Sequence, residues 1–259
     1  MMIDLYNYNL FTVFLVSVAL ILGCSEIGRR LGARATTRGG KNISTLESAI
    51  LALLALMIGF TFAMALSRFE SRREAVLNEA NAIGTTALRA RLLPPPHHTE
   101  SLKLLREYVQ IRLDVAGHGP SAIELSVGLA RSNEIQEALW QQVKAVAKKD
   151  NAMVPTGLFI QSLNDMIDNQ EKRLTSLRDR VPNIVMLALY AMAAVASGFT
   201  GYASGLEARR SRLPVYITGV LLCTVILLIQ DLDRPGSGFI RTSQQPMINT
   251  ANSIAGFVD

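Results

Sequence analysis

Four stretches of this chain lack charge altogether. Residues 10–24, 49–66, 184–204 and 215–229 contain no Lys, Arg, Asp, Glu or His. Helices buried in a water-soluble core rarely stay free of every charge over such lengths. The blocks therefore read as four membrane crossings rather than as four core helices of a large soluble protein. A helix needs about 20 residues to cross a bilayer, with about 17 the practical minimum. The second and third blocks meet that alone. The first and fourth reach it with neighbours such as Tyr8 and Asn9, or Pro214 and Gln230. A hydrophobic fraction of 49% and a mean hydropathy of +0.26 agree with this reading.

Other scarcities narrow the chemistry. The only two cysteines, Cys24 and Cys223, form no CxxC pair, so no redox motif or zinc site is expected. Leu22-Gly23-Cys24 resembles a lipoprotein cleavage site, but no basic residue precedes the apolar block, so it is expected to stay as an uncleaved first helix. The three histidines are His97, His98 and His118. The helical stretch between the last two separates them by roughly 30 Å at 1.5 Å per residue, too far for a shared metal. No nucleophile–base constellation, phosphate loop or HExxH occurs. No catalytic residue, metal or cofactor is therefore expected, and the chain reads as no enzyme. Proton-coupled transporters usually keep an ionisable group within the membrane; the four blocks hold none, and none offers a histidine for haem. The pI of about 9.4 and net charge of +5 come without a basic motif interleaved with aromatics, so nucleic acid is not an expected partner.

The positive charge that is present sets an orientation. Arg29, Arg30, Arg34, Arg38 and Lys41 follow the first block; Arg209, Arg210 and Arg212 follow the third. Short basic loops stay on the cytoplasmic side. Both termini and the long insert, residues 67–182, are then expected outside, which in a bacterium means the periplasm. The arginines flanking the insert count for little, because long inserts translocate largely regardless of charge.

Within the insert the pattern is helical. Ser44-Thr45-Leu46-Glu47 has the form of a capping box and marks a start for the second helix. No strong breaker follows until Pro94-Pro95-Pro96, so one helix is expected from Thr45 to Leu92, roughly 70 Å long. Leu102, Leu105, Val109 and Leu113 form a stripe after a Thr99 cap, with His97 and His98 at a solvated helix entry. Ile135, Leu139, Val143 and Val146 form a second stripe, after a possible break at Ser132-Asn133. Phe159, Leu163, Met166, Leu174, Leu177 and Val181 form a third. Stripes of 3.6-residue period belong to a helical bundle. The fold expected is all-α: four transmembrane helices with a soluble helical bundle between the second and third. The segments are 1–66 for the first two crossings, 67–182 for the bundle, 183–230 for the last two crossings and 231–259 for a C-terminal tail.

Small residues recur every four positions at Ala193, Ser197, Gly201 and Gly205, and again at Gly59, Ala63 and Ser67. Such spacing lets helix backbones approach closely in lipid, either within one subunit or between subunits. Arg68, Arg72 and Glu79 project within about 40° of one another, taking 100° per residue. Together with Asp231, Asp233 and Arg234 they make a candidate polar cluster. It is either a structural clamp at the helix ends or a charged vestibule that selects ions.

These residues carry a resemblance. Gly59-Phe60-Thr61-Phe62-Ala63 runs on to Arg68, Arg72-Arg73 and Glu79-Ala80-Asn81-Ala82-Ile83-Gly84-Thr85. Arg89 and Leu92-Leu93-Pro94 follow; Asp231-Leu232-Asp233-Arg234-Pro235, Gly238 and Ser243-Gln244-Gln245-Pro246 come far downstream. Over residues 44–246 the arrangement resembles the bacterial bestrophin-like domain family of multi-pass membrane proteins. The resemblance implies kinship with bestrophins, which are oligomeric, usually pentameric, ion channels with four transmembrane helices per subunit and a large cytosolic helical part. The loop charges place the helical part of this chain on the other side. The expected function is a homo-oligomeric channel or pore in the bacterial plasma membrane, with the lipid bilayer, further copies of itself and inorganic ions as partners. The alternative is a non-conducting scaffold or sensor whose bundle binds a partner.

Overall fold

A computed structural model describes residues 8–35, 40–117, 122–149, 153–206, 212–236 and 238–257. Among these residues the structure is helical and contains no strand. Eight α-helices follow in order: α1 (Leu10–Arg34), α2 (Gly40–Ala90), α3 (His97–Gly117), α4 (Ala122–Ala147), α5 (Leu158–Arg178), α6 (Asn183–Leu206), α7 (Leu213–Asp233) and α8 (Gln245–Ala255). A single π-helical turn, Met153–Gly157, precedes α5. Four helical stretches, carried by α1, α2, α6 and α7, are long and apolar enough to cross a membrane.

Several boundaries differ from the sequence expectation. α2 begins at Gly40, so Ser44 is no cap: it lies inside the helix, its carbonyl accepting the Ser48 hydroxyl. The sequence Ser-x-x-Glu mimics a cap wherever it falls, and here the helix simply extends past it. α4 runs unbroken through Ser132-Asn133, because the Ser132 hydroxyl bonds back to the Gly128 carbonyl and needs no break. α3 starts at His97, two residues before Thr99, and the Thr99 hydroxyl engages His98 Nε2 instead of capping. His97 is not solvated: it is buried, with Nδ1 2.8 Å from Gln142 Oε1. Arg38, His118, Arg209 and Arg210 lie outside the described residues.

The chain divides into two compact units. The first comprises residues 1–68 and 180–240. In it α1 and α6 run side by side and parallel, joined by glycine. A Cβ on Gly28 would overlap the carbonyl of Gly198, one on Gly32 that of Tyr202, one on Gly201 that of Ser25 and one on Gly205 that of Arg29. The backbones touch, so no side chain fits at these four positions. α7 lies antiparallel to α1, with Gly219 facing Ile21 and Tyr216 donating to Glu26. Phe11, Val16, Ile27, Phe60, Ile184 and Leu221 point outward, exposed and apolar.

The second unit comprises residues 69–179 and 241–259. Its core joins Ala80, Ile83 and Ala87 of α2, Leu102, Leu105 and Val109 of α3, Ile135, Leu139 and Val143 of α4, and Phe159, Leu163 and Met166 of α5. Leu174, Leu177 and Val181 fall outside that core, but the other stripe residues read from the sequence supply or line it. So does a helix not expected: α8 contributes Met247, Ala251 and Ile254. Pro246 in its first turn sets the start. Arg106 of α3 fixes its end, donating to the carbonyls of Ile254 and Phe257, and Thr250 donates to the Ala80 carbonyl. Residues 241–257 are therefore part of the bundle rather than a free tail.

Candidate functional site

The candidate polar residues fall into two groups, one in each unit. Arg68, Asp231, Asp233 and Arg234 belong to the first; Arg72 and Glu79 belong to the second. In the first unit the carboxylates at the end of α7 accept backbone amides. Asp231 accepts the amides of Phe239 at 2.8 Å and Ile240 at 3.0 Å. This ties the segment after α7 back onto the helix end. A Cβ on Gly238 would run into the Asp231 carboxylate, so the close approach requires glycine there. Asp233 accepts the Val181 amide at 2.8 Å, and Arg234 donates to the Tyr8 carbonyl at 2.7 Å. Gln230 accepts from the Tyr190 hydroxyl of α6 at 3.3 Å. Arg68 is half-buried, and its Nε has no hydrogen-bond partner among the described residues.

In the second unit Glu79 is fully enclosed. Arg112 of α3 donates from Nε to Oε1 at 2.7 Å and from Nη2 to Oε2 at 3.4 Å. Arg173 of α5 donates from Nη1 to Oε2 at 2.6 Å. Its Nη2 reaches Gln244, just before α8, at 2.9 Å. The Tyr108 hydroxyl donates to Gln170 at 2.5 Å and lies 3.5 Å from Glu79. Gln136 of α4 donates to Gln170 at 2.9 Å, and Gln170 donates in turn to Asn133 at 3.2 Å. Burial first, then the adjacent Glu79 charge, push the Tyr108 phenol above its ordinary value. One carboxylate thus serves two guanidiniums at the level where α2, α3, α4 and α5 meet. Charge pairs so enclosed demand this saturation, because an unpaired member would carry the full cost of leaving water.

Of this network the sequence reading singled out Glu79 alone. A signal was present for the rest. Gln136, Gln170, Arg112 and Arg173 occupy positions on or beside the apolar stripes of their helices, where a solvent-facing residue does not fall. Polar side chains on the inner faces of four helices imply a shared buried network.

The small-residue positions also separate. Ala193, Ser197 and Gly201 are buried and Gly205 half-buried, on the face of α6 that meets α1 of the same chain. Gly59 and Ala63 are exposed, and nothing lies within 4 Å of a Cβ on Gly59. No group of His, Cys, Asp and Glu among the described residues is placed to hold a metal ion.

The model of the Bestrophin-like domain matches residues 14–247. No curated protein sequence matches the chain. Solved structures do match. A crystal structure of a bacterial bestrophin homologue from Klebsiella pneumoniae has a TM-score of 0.65 at 16% identity, covering 95% of this chain and 96% of that one. A tryptophan-to-alanine variant from the same organism has a TM-score of 0.67 at 16% identity, covering 96% of each chain. A proline-to-alanine variant described as a membrane protein has a TM-score of 0.65 at 15% identity, covering 97% of this chain and 100% of that chain. At such identities the likeness speaks for the fold.

Proposed function

Because the chain belongs to the Bestrophin-like domain family, we propose that it is a homo-oligomeric ion channel of the bacterial plasma membrane, with α2 as the pore-lining helix. The observation that carries this reading is the surface of α2. It is 51 residues long, about 77 Å at 1.5 Å per residue, more than twice the thickness of a bilayer core. Only 17% of its most apolar stretch is buried, against 28% for α1 and 33% for α7. A helix so long and so uncovered needs further surface to pack on or to enclose. Further copies around an axis supply both, and cyclic symmetry is how identical subunits close.

In this reading α1, α2, α6 and α7 cross the membrane and the second unit is the water-exposed bundle inserted between the second and third crossings. The termini and bundle face the periplasm, following the loop charges. Arg68, Asp231, Asp233 and Arg234 are the first candidates for a charged vestibule. The chemistry is passage of inorganic ions, not catalysis.

Recording from purified protein in planar bilayers tests the proposal. Discrete conductance steps are the expected result. Persistent silence from preparations shown to be folded and oligomeric would favour the scaffold instead.

A further inference from the structure

The chain's excess of positive charge falls in two short stretches of the sequence. The loop after α1 and the loop after α6, with the helix ends they join, hold Arg29, Arg30, Arg34, Arg38, Lys41, Arg209, Arg210 and Arg212 against Glu26, Glu47 and Glu207, a net of +5. The whole chain also carries +5, so everything else sums to zero. In the first unit Arg29 and Arg30 of this group meet one braced contact. Glu26 of α1 accepts Arg29 Nε at 2.8 Å and Nη2 at 2.6 Å, Arg30 Nε at 3.0 Å, and the Tyr216 hydroxyl of α7 at 2.9 Å.

That carboxylate is saturated by four donors and can neutralise nothing more. Arg30 meets Glu26 through Nε alone among the bonds described and is 68% exposed. Arg34 follows four residues later on the same face of α1, and Arg212 stands one turn before Tyr216 on α7. Arg34 and Arg212 are exposed and have no ion-pair partner among the described residues. Three exposed arginines, one of them bonded to Glu26 through Nε alone, therefore belong to the adjoining ends of α1 and α7, two helices apolar enough to cross a membrane.

We propose that this junction binds the phosphate of an anionic glycerophospholipid headgroup, with Arg30, Arg34 and Arg212 as its ligands and the Glu26–Tyr216 contact as the brace that spaces them. The proposal rests on the membrane-spanning reading above, which sets this end of the helices at headgroup depth. Guanidinium matches phosphate with paired donors in a fixed fork. Basic pockets between membrane helices are where such headgroups settle. Tyr216 is the kind of aromatic that collects at the membrane interface, and its hydroxyl meets the charged group through Glu26.

The experiment uses the full chain. Resistance to alkaline carbonate extraction from vesicles is measured first. A chain that washes off fails the membrane reading, and the lipid site falls with it. The midpoint of thermal unfolding is then followed in detergent with phosphatidylglycerol, phosphatidylcholine or inorganic phosphate added. Phosphatidylglycerol is expected to raise the midpoint, and the other two to leave it unchanged. The R30Q/R34Q/R212Q variant should keep the wild-type midpoint in bare detergent and lose the rise. Should that variant not fold, Arg34→Gln alone, at an exposed position, carries the same expectation as a partial loss. Equal rises with both lipids, or a full rise in the folded variant, would overturn the site. A rise with inorganic phosphate would overturn the lipid as its source.

Discussion

Arg112 Nε donates to Glu79 Oε1 at 2.7 Å with 2% and none of the two side chains exposed. Arg173 approaches the other oxygen from the opposite helix. Glu79→Gln would leave both guanidiniums without a counter-charge in the core of the bundle. Breaking a buried pair in this way costs about 3–5 kcal/mol. Arg173→Gln leaves Glu79 still paired with Arg112 and should cost less. Thermal melting of the two purified variants checks the order; equal losses would show that the two arginines do not share one carboxylate.

Tyr108 gives this network a pH signature. Its phenol is raised in the folded state, by burial and by Glu79, while in the unfolded chain it titrates at about 10. Its contribution is complete below that value and is lost as pH rises toward the folded one. Tyr108→Phe should therefore be less stable than wild type at neutral pH, for want of the bond to Gln170. The deficit should narrow above pH about 10. Denaturant unfolding at several alkaline pH values follows the gap; a gap that stays constant would remove Tyr108 from the account.

The two small-residue stripes predict opposite phenotypes. Gly201 packs on the Ser25 carbonyl of its own chain, so Gly201→Leu should cut the yield of folded protein and leave the mass of the surviving oligomer unchanged. Gly59 meets nothing within 4 Å. Gly59→Leu should fold normally and, if α2 faces another copy, alter oligomer mass or conductance. Mass measurement in detergent separates the outcomes, and a monomeric wild type would sink the channel proposal itself.

The clamp at the end of α7 is tested by Asp231→Asn. One carboxylate oxygen becomes an NH₂ that cannot accept, so the amide of Phe239 or Ile240 loses its acceptor. These bonds are only part-buried, so the loss should be about 1 kcal/mol. Gly238→Ala should be destabilising too, since its Cβ would meet the same carboxylate. Normal melting of both with altered ion preference would favour a vestibule over a clamp.

Orientation is checked by labelling intact cells with a membrane-impermeant thiol reagent, in a background with Cys24 and Cys223 replaced. Cysteine at exposed Val127 should react and cysteine at Arg34 should not. The reverse would place the bundle in the cytoplasm.

What the sequence made legible follows from the physics of each signal. Uncharged blocks and 3.6-residue stripes are local, and they marked the apolar stretches later carried by α1, α2, α6 and α7 and most of the bundle core. Helix ends were less legible, because Ser44 and Thr99 have capping chemistry in any context and only the backbone decides whether they use it. The partners of Glu79 come from α3 and α5, 33 and 94 residues away. No spacing rule reaches so far. α8 escaped notice because its 11 residues are half polar and bury only Met247, Ala251 and Ile254.

That late helix has a consequence for biosynthesis. Met247, Ala251 and Ile254 are made after α6 and α7, yet they sit in the same core as Ala80 and Ile83. In between, the chain must deliver both α6 and α7. The bundle therefore cannot close its core until α6 and α7 have been made. It stays incomplete until α8 is made, so a chain stalled before α8 exposes apolar surface of α2 and α3 that α8 otherwise covers.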